Sequence, residues 1–198
     1  VKFIISAYRA EAESLLDFSD FVFDKSIREF QVFRSGQAVL GISGEGKKQA
    51  EKLTALLISR YVLDLGVKSS LWFNFGVAGS GSHVPGSLVY ASRVVDAETK
   101  NQWELLARDA GDVSVATLNT VTKPSNEYQE GMIYDMEASG ILSALSSHSL
   151  ARQALVLKLI SDGPDYPFHC LTKSDIVKLL GDARQKLHSI IHALQQDE

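Results

Sequence analysis

Two carboxylates stand where apolar runs end. Glu137 lies in Ile133-Tyr134-Asp135-Met136-Glu137-Ala138-Ser139-Gly140, and Asp162 closes Leu157-Lys158-Leu159-Ile160-Ser161-Asp162. Each preceding run reads as a buried strand. The C-terminal end of such a strand is where open α/β folds gather their ligand-binding groups. Paired carboxylates of this kind suit a division of labour: one accepts hydrogen bonds from a sugar, and the other donates a proton. Taken singly, each has a plainer reading. Glu137 precedes a helical stretch that it could cap, and Asp162 stands before Gly163-Pro164, where it could cap a turn.

Two glycine-rich segments raise the question of phosphate. Gly76-Val77-Ala78-Gly79-Ser80-Gly81 follows an apolar strand, but its glycine order is G-x-x-G-x-G rather than the G-x-G-x-x-G of dinucleotide sites. It reads either as a tight turn or as a bare backbone wall against which a flat ligand can lie. Gly41-Ile42-Ser43-Gly44-Glu45-Gly46-Lys47-Lys48 approaches a P-loop. Lys48 takes the place of the magnesium-holding Ser or Thr, and Glu45 puts negative charge into the phosphate cradle. A strand-to-helix turn is favoured, with nucleoside triphosphate hydrolysis as the outside alternative.

Metal and nucleophile chemistry find less support. His188 and His192 have ligand spacing, but they lack H-E-x-x-H and flank an apolar stripe, so no metal site is expected. His169-Cys170 is too little for a metal, and no G-x-S-x-G elbow occurs. No cofactor is expected.

The elements that must position these groups follow from periodicity. Strands are expected at Phe3–Ser6, Phe21–Phe23, Phe30–Phe33, Ala38–Ile42, Leu71–Phe75, Ser87–Val95, Val113–Leu118, Met132–Tyr134 and Ala154–Ile160. Ser35-Gly36-Gln37 reads as a hairpin turn and Pro124-Ser125-Asn126 as a polar loop, while Ala10–Asp17 is a short helix or turn and Asn101–Asp109 has no clear assignment. Lys47–Leu63 is helical, with Ala50, Leu53, Leu57 and Tyr61 on one face. Ala138–Leu145 and Ser174–Leu194 are helices too; the latter has Ile176, Leu180, Ala183, Leu187, Ile190, Ile191 and Leu194 at helical spacing. The alternation predicts one α/β domain over residues 1–198, with a central mixed, twisted β-sheet flanked by helices.

Composition narrows the partners. The chain has 198 residues, 45% hydrophobic and 22% charged, enough for one domain with a full core. Its net charge of −4 and scattered Lys and Arg argue against nucleic acid. The single cysteine, Cys170, allows no internal disulfide. No window approaches the roughly 20 apolar residues of a membrane span, and the short run Val1–Ser6 lacks a signal-peptide pattern. No membrane association and a cytoplasmic location are the expectation.

Five segments, in order, resemble the purine nucleoside phosphorylase/nucleosidase superfamily, above all methylthioadenosine/adenosylhomocysteine nucleosidases and futalosine hydrolases. Ser6-Ala7-Tyr8-Arg9-Ala10-Glu11 is similar to the first strand and turn, A-x-x-x-E. Ser43-Gly44-Glu45-Gly46-Lys47 is similar to S-G-x-G-K, and Asn74-Phe75-Gly76-Val77-Ala78-Gly79 to N-T-G-[ST]-A-G. Asp135-Met136-Glu137-Ala138 is similar to E-M-E-A, and Ile160-Ser161-Asp162 matches I-S-D. The resemblance covers essentially the whole chain and implies a nucleoside phosphorylase-like fold and a nucleoside as small-molecule substrate.

The resemblance also implies roles. Asp162 protonates or hydrogen-bonds the purine N7, and Glu11 takes a proton from attacking water. Glu137 accepts the ribose hydroxyls, Met136 packs beneath the sugar, and the backbone of Val77, Ala78 and Gly79 lines base or sugar; Ser161 belongs to the aspartate's segment. A homodimer or higher homo-oligomer is implied as well. Hydrolysis is favoured over phosphorolysis, because the phosphorylase pattern G-D-P-x-R is absent after the first strand and Glu11 would repel phosphate. Arg9 and Arg34 keep a phosphorylase open, and a nucleoside-binding protein without turnover is the third reading.

The chain departs from the family at three places. The S-G-D-x-F loop that stacks an aromatic on the base aligns with Leu118-Asn119-Thr120-Val121-Thr122, which has none. Val77 replaces a small hydroxyl residue. Little chain lies between Asp96 and Val113, where relatives build part of the dimer and of the 5′ pocket. Tyr8, Tyr128, Tyr166 and Phe168 are the remaining candidates for stacking surfaces.

Overall fold

The computed structural model describes residues 1–15, 20–36, 38–66, 70–105, 113–124 and 127–196, with side chains in the last helix as far as residue 191. Asp17, Gln37, Ser125-Asn126, residues 106–109 of the Asn101–Asp109 stretch and the side chains of His192 and Leu194 lie outside the described residues.

Long apolar runs become central strands because both of their faces are covered. The clearest case is β10 (Ala154–Asp162), in which every residue is buried. It pairs in parallel with β5 (Leu71–Ser80), which pairs in parallel with β1 (Lys2–Ser6), and β1 with β4 (Ala38–Ile42). Beyond β4 the sheet continues antiparallel through β3 (Gln31–Ser35) to β2 (Val22–Phe23).

On its other side the sheet closes. The edge of β10 pairs with β6 (Leu88–Asp96), β6 with β8 (Ser114–Thr120), and β8 with β9 (Met132–Asp135). β9 then returns to the far end of β5, where Gly79 faces Tyr134 and Ser80 faces Ile133. Five strands thus form a ring that includes β5, and β1 to β4 extend from it as a wing. The short β7 (Gln102–Glu104) is added to the outside of β6.

Helices cover both faces, as the alternation predicted. α2 (Lys47–Leu57), continued by a π-helical turn at Ile58–Leu63, packs on α3 (Ala138–Ser146), and α1 (Arg9–Leu15) packs on α4 (Lys173–Gln196). One core gathers Phe3, Trp72, Leu53, Leu57, Ile133 and Leu142 around α2 and α3. The other gathers Phe73, Phe75, Leu157, Leu159, Leu180 and Leu187 under α1 and α4. Phe3 and Trp72 stack at 4.1 Å between ring centres.

The sequence reading of β5 needs one correction. The strand does not end at Phe75: the glycine segment stays extended through Ser80, so the tight-turn reading fails and the backbone-wall reading describes the segment. Its glycines are required by close approach. A Cβ at position 76 would stand 3.0 Å from Glu11 Oε1, and one at position 79 would stand 2.5 Å from Asp162 Oδ2. Among the described residues no helix is long and apolar enough to cross a membrane.

Candidate active site

A pocket of about 590 Å³ opens where β10, β5 and β9 end and α1 begins. Glu11, Val77, Ala78, Gly79, Met136, Glu137, Ser161 and Asp162 all line it. The structure therefore brings every candidate residue to one cavity, although the residues come from four separate stretches of chain.

Asp162 reaches the pocket through a bulge. Ile160 faces Ala78 and Asp162 faces Gly79, so Ser161 is the extra residue of β10. The Ser161 hydroxyl donates to Asp162 Oδ1. The Tyr128 hydroxyl donates to Oδ2 at 2.6 Å, and the carboxylate's own charge and hydrogen bond, behind burial as the largest cause, push the Tyr128 phenol upward.

Glu11 sits in the first turn of α1 and is only 3% exposed. It accepts the Tyr8 N–H at 2.9 Å and the Val77 N–H at 3.1 Å, so it clamps α1 to the glycine wall. Burial pushes its carboxyl above the ordinary range, against the pull of those N–H groups and of Lys158.

Glu137 immediately precedes α3 but does not cap it. That task falls to Asp135, whose Oδ2 accepts the Ala138 N–H at 2.9 Å while Oδ1 accepts the Thr120 hydroxyl at 2.7 Å. Glu137 is left to point into the pocket, held by the Gly46 N–H at 2.8 Å. Burial first, then the neighbouring Asp135 charge, raise its carboxyl to about 7.

The sequence reasoning did not single out Lys158 or Asp135 as a pair. Lys158 lies in the middle of the buried β10 and bonds Asp135 Oδ2 at 2.8 Å, with side-chain exposures of 1% and 0%. The signal was present, since a lysine inside an unbroken apolar run must find a buried anion. The Lys158 ammonium of this pair draws the pKa of both Glu11 and Glu137 down against burial, while Asp135 pushes Glu137 up.

The P-loop alternative ends at Gly46. Its N–H, at the start of α2, is occupied by the chain's own Glu137 carboxylate, where a phosphate would have to sit. The Lys47 ammonium is engaged as well, by Asp96 at 2.9 Å and Glu98 at 2.6 Å. Among the described residues no cluster of His, Cys, Asp and Glu is placed to hold a metal ion.

Of the candidate stacking aromatics, Tyr8 and Phe168 line the pocket, joined by Tyr134. Tyr128 stands edge-on to Tyr134 at 5.9 Å. Tyr166 is tied to Gly163 through the backbone and does not line the cavity. Val121 and Pro124 also line the cavity, Val121 from the Leu118–Thr122 stretch that carries no aromatic.

No protein-family model and no curated protein matches the chain by sequence. Solved structures do match by shape. The apo 5′-methylthioadenosine nucleosidase of Arabidopsis thaliana superposes with a TM-score of 0.77 at 13% identity, covering 98% of this chain and 94% of that one. This is the nucleosidase fold. The Campylobacter jejuni 5′-methylthioadenosine/S-adenosylhomocysteine nucleosidase gives 0.76 at 12% identity, over 96% and 97% of the two chains. The S-adenosylhomocysteine nucleosidase of Streptococcus pyogenes, solved with 5-methylthiotubericidin, gives 0.73 at 17% identity, over 98% and 96%. The nucleosidase fold is thus kept over nearly the full length of each partner at identities too low to carry residue roles across.

Proposed function

We propose that the chain hydrolyses the N-glycosidic bond of a purine-type nucleoside, releasing the free base and a ribose derivative. The observation that carries this reading is the convergence of Asp162, Glu137 and Glu11 on one pocket along a glycine wall. The nucleosidases that share the fold support it. In the reaction the bond from C1′ to the base nitrogen breaks and one from water oxygen to C1′ forms. Glu11 takes the water's proton, and Asp162 gives a proton to the base as its electron pair leaves. Glu137 holds the ribose hydroxyls while positive charge builds on the sugar.

Water suits this site better than phosphate. Glu11 and Glu45 line the pocket alongside Arg9 and Lys173, and a Glu11 ionised to accept water's proton would repel a phosphate dianion. A cytoplasmic homodimer completes the reading.

The test is base release from inosine, adenosine, methylthioadenosine, adenosylhomocysteine and futalosine, with and without phosphate. Release without phosphate is the expected result. Release only with phosphate, forming ribose 1-phosphate, would make the protein a phosphorylase. Binding without cleavage, unchanged by Asp162→Asn, would make it a nucleoside-binding protein.

A further inference from the structure

The last two glycines of the Gly76–Gly81 segment make room for a tyrosine. A Cβ at position 79 would stand 2.6 Å from Tyr128 Cε1, and one at position 81 would stand 3.2 Å from Tyr128 Cβ and 2.8 Å from the Gln129 carbonyl oxygen. The Tyr128 side chain therefore lies along this part of the wall. Its loop is pinned there: the Gln129 N–H donates to the Tyr134 hydroxyl at 3.0 Å, and the Gly131 N–H to Ser82 Oγ at 2.7 Å. Gly79, Tyr134 and Asp162 line the pocket and Tyr128 does not, so Tyr128 backs Asp162 from behind the cavity.

The place of the phenol sets different tasks for the two carboxyl oxygens. A neutral carboxyl has one O–H and one carbonyl oxygen. Tyr128 donates to Oδ2 at 2.6 Å. Burial first, then this hydrogen bond and the Asp162 charge, push the phenol upward, so it stays a donor throughout the neutral range. Oδ2 is thereby kept as the accepting oxygen, and the proton falls to Oδ1. The Ser161 hydroxyl, which donates to Oδ1, has the Ala78 carbonyl oxygen at 3.4 Å as a second acceptor, so it can turn aside when Oδ1 is protonated.

When the proton passes from Oδ1 to a base nitrogen, the electron pair of the O–H bond stays on the carboxylate. The Tyr128 hydrogen bond then becomes charge-assisted, stronger after the transfer than before it, and favours the transfer. Resting on the nucleosidase reading of the main pocket, we infer that Tyr128 is a positioning residue for the proton donor: its hydroxyl holds Oδ2 as acceptor, so that Asp162 delivers its proton from Oδ1.

The test is a double-mutant cycle of Tyr128→Phe and Asp162→Asn, read as kcat and KM for base release from inosine, adenosine, methylthioadenosine, adenosylhomocysteine and futalosine. Phenylalanine keeps the ring against Gly79 and removes only the hydroxyl. Tyr128→Phe should lower kcat about tenfold with KM unchanged, the factor expected for one hydrogen bond to a charged group. In the Asp162→Asn protein, which has no carboxyl proton to deliver, the same substitution should cost nothing further. An unchanged kcat in Tyr128→Phe, a change confined to KM, or an equal loss in both backgrounds would overturn the inference and leave the nucleosidase reading standing. Near-native cleavage by Asp162→Asn would remove the proton donor and the inference with it. No base release by the native chain from any of these nucleosides would remove the inference together with the nucleosidase reading.

Discussion

Glu137 and Glu11 make the site's chemistry and the protein's stability run in opposite directions with pH. Both carboxyls are raised by burial, Glu137 to about 7. A raised carboxyl favours the folded state while protonated, so its contribution is complete below pH 4.5 and is lost as pH climbs through the folded value. Between pH 5 and 8 the melting temperature should therefore fall, with Glu137 contributing about 2 kcal/mol, and Glu137→Gln should flatten that slope. Thermal scans across the range check it; a flat native profile would contradict the burial argument. Base release should instead rise as pH climbs through the raised Glu11 pKa, because the proposed base accepts a proton only when ionised. Asp162→Asn should lower turnover by about 10²-fold or more with the melting curve unchanged, and near-normal activity would end its assignment as proton donor.

The elements explain why the two carboxylates could be read in the sequence while their supports could not. Strand runs such as Leu155–Ile160 and the helical face Ala50, Leu53, Leu57 and Tyr61 announce themselves by periodicity, and all of these residues are buried. The extension of β5 through Gly76–Ser80 was hidden, because glycine and alanine carry no pattern and the pairing with β10 and β9, distant in the chain, keeps that backbone extended. The capping of α3 was hidden for a related reason. Asp135 and Glu137 are two residues apart, and only the Thr120 hydroxyl and the Ala138 amide decide which of them caps. At this scale Gly79→Ala should abolish activity, since its methyl group would collide with Asp162 and with the Tyr128 ring. Gly140→Ala should cost about 2–4 kcal/mol in chemical denaturation, because its methyl group would overlap the Lys47 carbonyl. A Gly140→Ala protein as stable as the native one would show that α2 and α3 can separate at little cost.

For the molecule as a whole, the closed ring of strands was the least legible feature. The return of β9 to β5 rests on two residue pairs far apart in the chain, Gly79 with Tyr134 and Ser80 with Ile133. No local signal encodes them. The Lys158–Asp135 pair braces this ring from β10 to β9. Lys158→Met leaves the Asp135 charge buried without its cation and should cost about 3–5 kcal/mol, whereas pairing it with Asp135→Asn should recover much of that loss. Denaturant titration of the two single variants and the double variant measures the coupling, and simple additivity would show that the brace contributes nothing of its own.

The contact of Gly140 with the Lys47 backbone reaches further than stability. It makes α2 and α3 start from one point, and Glu45, Gly46 and Glu137 are fastened to that point by backbone and a single short hydrogen bond. The backbone that carries Glu45 and Gly46 and the Glu137 carboxylate are then tied to one helix junction. The rim of the pocket is thus keyed to the helix pair: on the hydrolase reading proposed above, a change that prises α2 from α3 should loosen substrate as well as fold.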